Sequence, residues 1–203
     1  MRIVIVGQQW FGAAVLRLCR QRGDEVLKAI APPAPGEEYD RLYAAAQQAG
    51  IPAEIIPRRV EADHVPPGTD LIIGAHAHAY ITAPARRAAR LGALGYHPSL
   101  LPRHRGRDAV RWAIHMGDSI AGGTVYWMDD GADTGPIAAQ DWCHVHPGDD
   151  ARTLWRRDLA PMGLRLLEAV LKDLDAGRVT ATEQPQECAT WEPAFLVRKL
   201  GER

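Results

Sequence analysis

Three groups of side chains in this sequence have the type and spacing to do chemistry. The first is His97, which ends the apolar run Ala93-Leu94-Gly95-Tyr96 and opens the loop Pro98-Ser99-Leu100-Leu101-Pro102-Arg103-His104-Arg105-Gly106. Two prolines restrict that loop, so a strand would deliver the histidine to a rigid place. The second is the acidic, glycine-rich run Asp129-Asp130-Gly131-Ala132-Asp133-Thr134-Gly135, which follows the strand-like stretch Gly122 to Met128. A buried histidine facing a carboxylate forms an acid–base pair, because the carboxylate orients the imidazole and favours its charged form. On residue types alone, a structural histidine is the default reading of His97. The third group is His76-Ala77-His78, two imidazoles on one face of an extended strand, with His144 and His146 repeating the spacing. Such a pair can chelate a metal. No carboxylate or further histidine stands at ligand spacing to either pair, and the chain is short for a metallohydrolase barrel, so no metal is expected.

The elements that must position these groups alternate. Ile3 to Val6 is a continuous apolar run ending at Gly7, as in a buried parallel strand. A helical pattern with Phe11, Val15, Leu16 and Leu18 on one side follows, and Gly23 stops it. Glu25 to Ile30 reads as a strand, Tyr39 to Ala49 as a helix closed by Gly50, Glu54 to Ile56 as a short strand and Asp70 to Ala75 as a strong buried one. Ala93 to His97, Gly122 to Met128 and Ile137 to Val145 read as strands. Arg107 to Met116 reads as a helix, and Thr153 to Leu174 as one long amphipathic helix. This alternation predicts an α/β fold, a mainly parallel sheet with helices on both faces, its first half Rossmann-like. Ligands bind such sheets at the carboxyl edge, where His97 and the acidic loop fall. One domain is expected over residues 1–203.

Composition removes whole classes of function. With 24 basic against 25 acidic residues the net charge is −1, and the basic excess of a general nucleic-acid binder is missing. Three cysteines, Cys19, Cys143 and Cys188, form no framework and suit a reducing compartment. No stretch approaches the roughly 18 apolar residues of a membrane span, and the opening run is too short for a signal peptide. A cytoplasmic protein is expected, without nucleic-acid or membrane partner. The turn Gly7-Gln8-Gln9-Trp10-Phe11-Gly12 lacks the glycine that a dinucleotide fingerprint needs where Gln9 stands, and Ala31 and Pro32 occupy the place of the ribose-binding acid. Its N–H groups could hold an anion, but a tight structural turn is the expectation.

Tyr96 to Gly106 and Gly122 to Gly135 together resemble the paired signature of the formyltransferases that use 10-formyltetrahydrofolate, a His-Pro-Ser-Leu-Leu-Pro motif followed by an Asp-x-x-x-Asp loop. The likeness extends more loosely from Met1 to about Phe195. It includes the branch represented by the N-terminal hydrolase domain of 10-formyltetrahydrofolate dehydrogenase, which shares Tyr96 to Gly106. The resemblance implies a Rossmann-like formyltransferase fold, 10-formyltetrahydrofolate as one-carbon donor, no metal, and folate and a small-molecule acceptor as partners. It implies that His97 is the catalytic acid or base and that Asp133 pairs with it. It also implies that Ala79, Tyr80 and Ile81 line the pterin pocket, that Asp129, Asp130 and Asp133 belong to a loop closing over the folate, and that Ser99 serves loop structure.

One position departs from the pattern. Most of the family carries asparagine two residues before the histidine, where its amide binds the formyl oxygen; here Gly95 stands there. One such donor is typically worth ~10²–10³ in rate. The hydrolase branch also lacks it. Protonated His97 could carry the oxyanion alone, or a water could take the space beside Gly95. Three readings follow: formyl transfer to a small amine, formyl transfer to water, and a catalytically weak folate binder. Arg107 and Arg111 stand where an acceptor's carboxylate or phosphate could be held, or on a solvated helix face. Neither the acceptor nor the oligomeric state is legible.

Overall fold

The computed structural model describes residues 1–34, 36 and 39–195. Its frame is a seven-stranded sheet. The strands are β1 (Arg2–Gly7), β2 (Glu25–Ala31), β3 (Ala53–Ile55), β4 (Leu71–Ala75), β5 (Ala93–His97), β6 (Ile120–Trp127) and β7 (Ile137–His144). Their spatial order is β7-β6-β5-β4-β1-β2-β3. From β5 to β3 every neighbouring pair is parallel, whereas β6 and β7 join antiparallel at one edge. The chain steps outward from β1 to β3, then returns to lay β4 on the other side of β1. That reversal opens a crevice at the carboxyl ends of β1 and β4, the place where open α/β sheets bind ligands.

The period-2 alternation of β1 explains the layers. Ile3 and Ile5 pack with Phe11, Val15, Leu16, Leu42, Leu167 and Leu171 on one face. Val4 and Val6 pack with Ile72, Ile81, Ala85 and Ala89 on the other. A strand buried on both faces must be apolar at every position, as this one is.

The helices are α1 (Gln9–Gln21), α2 (Arg41–Gln48), α3 (Ala83–Ala88), α4 (Ala109–His115), α5 (Ala151–Leu154) and α6 (Ala160–Asp175). Where they differ from the sequence reading, caps and breakers are the cause. The helix expected from Tyr39 begins at Arg41 because Asp40 is extended and caps it through the Leu42 N–H. The one expected from Arg107 begins at Ala109 because Asp108 takes a left-handed backbone, φ 62°. The single helix expected over Thr153 to Leu174 starts earlier, at Ala151, and is interrupted by a wide π turn at Trp155–Leu159. Pro161 has no N–H to give the ladder at that point. The turn leaves Trp155 edge-on to Phe11, ring centres 5.4 Å apart. The sequence reading misses α3 and two short parallel pairs, Arg59–Val60 with Tyr80–Ile81 and Arg105–Gly106 with Trp191–Glu192. Strands of two residues carry no periodicity to read. No helix among the described residues is long and apolar enough to cross a membrane.

Candidate active site

The carboxyl ends of β1, β4 and β5 and the loops after β5 and β6 surround a cleft of about 850 Å³. Its walls include Gln9 and Phe11 from α1, His76 and His78 after β4, His97 at the end of β5, Tyr126 and Asp133 from β6 and its loop, and Trp155. The sequence pair comes together. His97 is 7% exposed, and its Nδ1 lies 3.5 Å from Asp133 Oδ2, close enough for charge attraction but long for a hydrogen bond. Its Nε2 sits 2.7 Å from the backbone carbonyl of His104. A carbonyl only accepts, so Nε2 carries a proton and Nδ1 is the nitrogen left to gain or lose one. Nδ1 is also the nitrogen facing the carboxylate.

Asp133 is held from both sides. Its Oδ2 accepts the Gly106 N–H at 2.8 Å and its Oδ1 accepts the Tyr126 hydroxyl at 2.7 Å. Behind the pair, the chain's last described segment buckles the two loops together. Gln184, 3% exposed, donates to the carbonyls of Asp133 and Gly135 while its own carbonyl accepts two bonds from Arg105. Gln184 lies in a polar stretch with no motif, so no sequence signal marks it. Ser99 has the loop role expected of it, donating to the Arg103 carbonyl at 2.6 Å.

His104, whose carbonyl orients His97, is itself enclosed by carboxylates. Its Nε2 is 2.8 Å from Asp118 Oδ2, and Arg103 also binds the Asp118 carboxylate, through two nitrogens. Its Nδ1 is 3.0 Å from Glu192 Oε1 but out of line for a hydrogen bond, so that contact is electrostatic. Burial pushes the Asp118 carboxyl up, but the bonds from Arg103 and His104 outweigh it and hold it below the usual range. A depressed carboxylate contributes stability above its unfolded pKa of about 3.9 and loses it as pH falls through the lower folded value. Asp118→Asn is expected to cost about 1–3 kcal/mol at neutral pH. The deficit in Tm relative to the unaltered protein should shrink as pH drops from about 4 toward about 2. A deficit that stays constant over that range would show that Asp118 charge is not what holds this loop.

Backbone strain gathers around the cleft. Among the described residues, the non-glycine residues with left-handed φ are Gln9, His76, His104, Asp108 and Asp133. Four of them line the cleft, and the fifth backs His97. Such conformations cost of order 1–3 kcal/mol each and persist where the surroundings over-determine them, commonly at working sites.

Other sequence expectations fall differently. The left-handed turn at His76 ends the strand alternation, so His76 and His78 meet edge to face, ring centres 5.1 Å apart, as cleft wall. Burial lowers the pKa of both, helped by His78 for His76 and by Arg107 for His78. Both are therefore neutral at pH 7. Among the described residues, no group of three or more His, Cys, Asp or Glu could hold a metal ion. Ala79, Tyr80 and Ile81 are not among the residues that line this cleft. Ile81 is buried beneath α3, and Tyr80 is exposed under the Arg59 guanidinium. Asp129 and Asp130 do not face the cleft either: Asp129 accepts from Gly131 and Thr134 within its own loop, and Asp130 pairs with Arg86. They shape the loop that carries Asp133. The turn after β1 is occupied as well, since the Asp40 carboxylate accepts the Gln9 N–H at 2.9 Å. Arg107 and Arg111 both reach the cleft, Arg111 with a loose contact of 3.7 Å to Asp108. The space beside Gly95 is closed, because a Cβ there would lie 2.7–2.9 Å from Met128 and the Tyr126 ring. That excludes the alternative of a water in its side-chain space.

The chain is an open, mainly parallel α/β sheet of the Rossmann-like class, with a His–Asp pair at its carboxyl edge, where such sheets bind ligands. The chain belongs to the formyl transferase family, which matches it over residues 1–170. It is 34% identical over 202 residues to cytosolic 10-formyltetrahydrofolate dehydrogenase of Xenopus laevis and 33% identical over 201 residues to the mitochondrial enzyme of Homo sapiens. Each match takes in 95% of this chain and 22% of the relative, so the chain spans about a fifth of the length of these proteins. Among solved structures it is similar to glycinamide ribonucleotide transformylase 1 from Symbiobacterium toebii. That match has a TM-score of 0.73 and 25% identity, and covers 90% of this chain and 94% of the other. An N-formyltransferase from Helicobacter canadensis, solved with folinic acid and dTDP-3-aminofucose, shares the fold. Its TM-score is 0.74 at 15% identity, covering 94% of this chain and 70% of the other.

Proposed function

We propose that residues 1–203 act as one catalytic domain that binds 10-formyltetrahydrofolate in the cleft and transfers its formyl group to a small amine. The observation that carries this reading is the convergence of His97 Nδ1 and Asp133 Oδ2, 3.5 Å apart, at the cleft wall. The amine attacks the formyl carbon, giving a tetrahedral intermediate with negative charge on oxygen. The bond from carbon to the folate nitrogen then breaks. The amine must lose a proton and the folate nitrogen must gain one, and an imidazole does both near neutral pH. With Nε2 committed to the His104 carbonyl, Nδ1 carries that proton, and the fixed Asp133 carboxylate stabilises the imidazolium stage. The cleft volume is that of a small-molecule site. A second cleft of about 690 Å³ shares Gln9, Arg152 and Trp155 with it and adds Arg41 and Arg156, which suits an acceptor bearing a carboxylate or phosphate.

Transfer to water is the second reading, favoured by the absence of a side-chain amide at Gly95. The two separate in one assay. Tetrahydrofolate released from 10-formyltetrahydrofolate alone marks a hydrolase, and release only on addition of a primary amine such as glycinamide marks a transferase. We expect the amine to be required. Donor binding without turnover in either condition would reduce the protein to a folate binder, and no donor binding would sink the assignment.

A further inference from the structure

Gly95 and Tyr126 are cross-strand partners in the antiparallel ladder between β5 and β6. The Tyr126 ring lies across the bare backbone of Gly95, and a Cβ at that position would stand 2.8 Å from the ring's Cε1 and 2.9 Å from its Cζ, with the flexible end of Met128 at 2.7 Å. The ring is 7% exposed, yet it lines the cleft, and its hydroxyl donates to Asp133 Oδ1 at 2.7 Å. The other carboxylate oxygen is bound by the Gly106 N–H, so each oxygen of Asp133 has one donor and the plane of the carboxylate is fixed. Asp133 needs that fixing. It sits at a left-handed φ of 57° in a glycine-rich loop, and His97 is too far away to hold it by a hydrogen bond.

We propose that Tyr126 is a positioning residue for the reaction, its buried hydroxyl aiming the Asp133 carboxylate at His97, and that Gly95 is bare because the Tyr126 ring, with the end of Met128, occupies its side-chain space. The two positions form one unit. The proposal rests on the reading that His97 and Asp133 move the proton. Burial and the neighbouring Asp133 charge both push the phenol's titration well above its ordinary value, so Tyr126 remains a donor across the working pH range. Thr124, two residues earlier on the same strand, donates to the Ser99 carbonyl at 2.7 Å and supports the His97 loop. β6 thus braces both members of the pair.

Tyr126→Phe tests this, because it keeps the ring and removes only the hydroxyl. Turnover of 10-formyltetrahydrofolate is measured with water alone and with glycinamide. The expected result is a fall of about 10- to 100-fold in kcat, the range for losing a hydrogen bond to a charged group, with KM for the donor changed less than about 2-fold and Tm nearly unchanged. A ring that only fills space would leave kcat alone. Gly95→Ala should push the ring off Asp133 and give a similar loss. The double variant should be no slower than the worse single one, since both disable the same contact. Asp133→Asn in the same assay separates the two levels. If Asp133→Asn is inactive while Tyr126→Phe keeps the unaltered kcat, the positioning role is overturned and the acid–base reading stands. If Asp133→Asn is fully active, or the unaltered protein turns over in neither assay, the underlying reading has failed and the proposal falls with it. Full additivity of the two single variants would overturn the pairing of Gly95 with Tyr126.

Discussion

His97→Ala is expected to reduce formyl release from 10-formyltetrahydrofolate by about 10³-fold, within the usual span of general acid–base catalysis, while the protein stays folded. The fold should tolerate the change because the His97 side chain makes one hydrogen bond, from Nε2 to the His104 carbonyl, which Gly106 and Thr190 keep in place from either side through Asp133 and the His104 N–H. Loss of that bond and of ring packing costs about 1–2 kcal/mol, or roughly 2–8 °C in Tm for a chain of this size. Asp133→Asn should cut turnover by about 10²–10³-fold, a span comparable to removing one stabilising donor from an acyl-transfer site. It keeps an acceptor for the Tyr126 hydroxyl but removes the negative charge beside the imidazole. The decisive measurement is single-turnover formyl release alongside a thermal melt. A rate within about 3-fold of the unaltered protein, for either variant with the fold intact, would remove that residue from the chemistry.

The residues that carry this expectation are legible in the amino-acid sequence, and the reason is local. Ala93 to His97 is an apolar run bounded by Gly92 and Pro98, and the strand β5 has those same limits. A motif that bends the chain directly after a buried strand leaves few places for His97 to go. The acidic loop is legible for the same reason, but only Asp133 of its three aspartates faces the cleft. Alternation cannot say which way a loop residue turns, and the left-handed φ of Asp133 is what turns it inward. Tyr126 escapes such a reading because its place is set across the sheet. In sequence it is one aromatic in an apolar strand; only the register that pairs it with Gly95 reveals why a glycine stands there. Gln184 is invisible for a related reason. It contacts residues 49 to 79 positions earlier, and nothing in a polar tail marks such long-range contacts. The short pairing of Arg105–Gly106 with Trp191–Glu192 is tertiary in origin: the tail docks because side chains hold it, and two residues then fall into strand geometry.

Gly7→Ala is expected to destabilise the fold strongly, because the end of β1 leaves no room for a methyl. Gly7 pairs with Ala75 at the last step of the parallel ladder between β1 and β4, where the ligand crevice begins. A Cβ at Gly7 would stand 2.1 Å from the Ala75 carbonyl oxygen and 2.9 Å from its carbon. Both are backbone atoms in the middle of a sheet and cannot rotate away. That carbonyl also accepts the Gln8 N–H at 3.2 Å, so moving it breaks a bond at the same place. Overpacking of a core usually costs about 1–3 kcal/mol, occasionally more. A clash with sheet backbone belongs at the upper end, and about 3 kcal/mol corresponds to roughly 6–12 °C in Tm. The damage extends to function, because Ala75 leads directly into His76, whose left-handed turn builds the cleft wall. Donor affinity should therefore fall together with Tm. Gly12→Ala, five residues on in the same segment, is the control. Its Cβ would stand 3.3 Å from Leu42 side-chain atoms, a contact that a small shift relieves, so its Tm should drop by less than half as much. Equal melting of the two variants would mean that the β1–β4 ladder yields at its end, and that the crevice wall is softer than the packing of Gly7 against Ala75 requires.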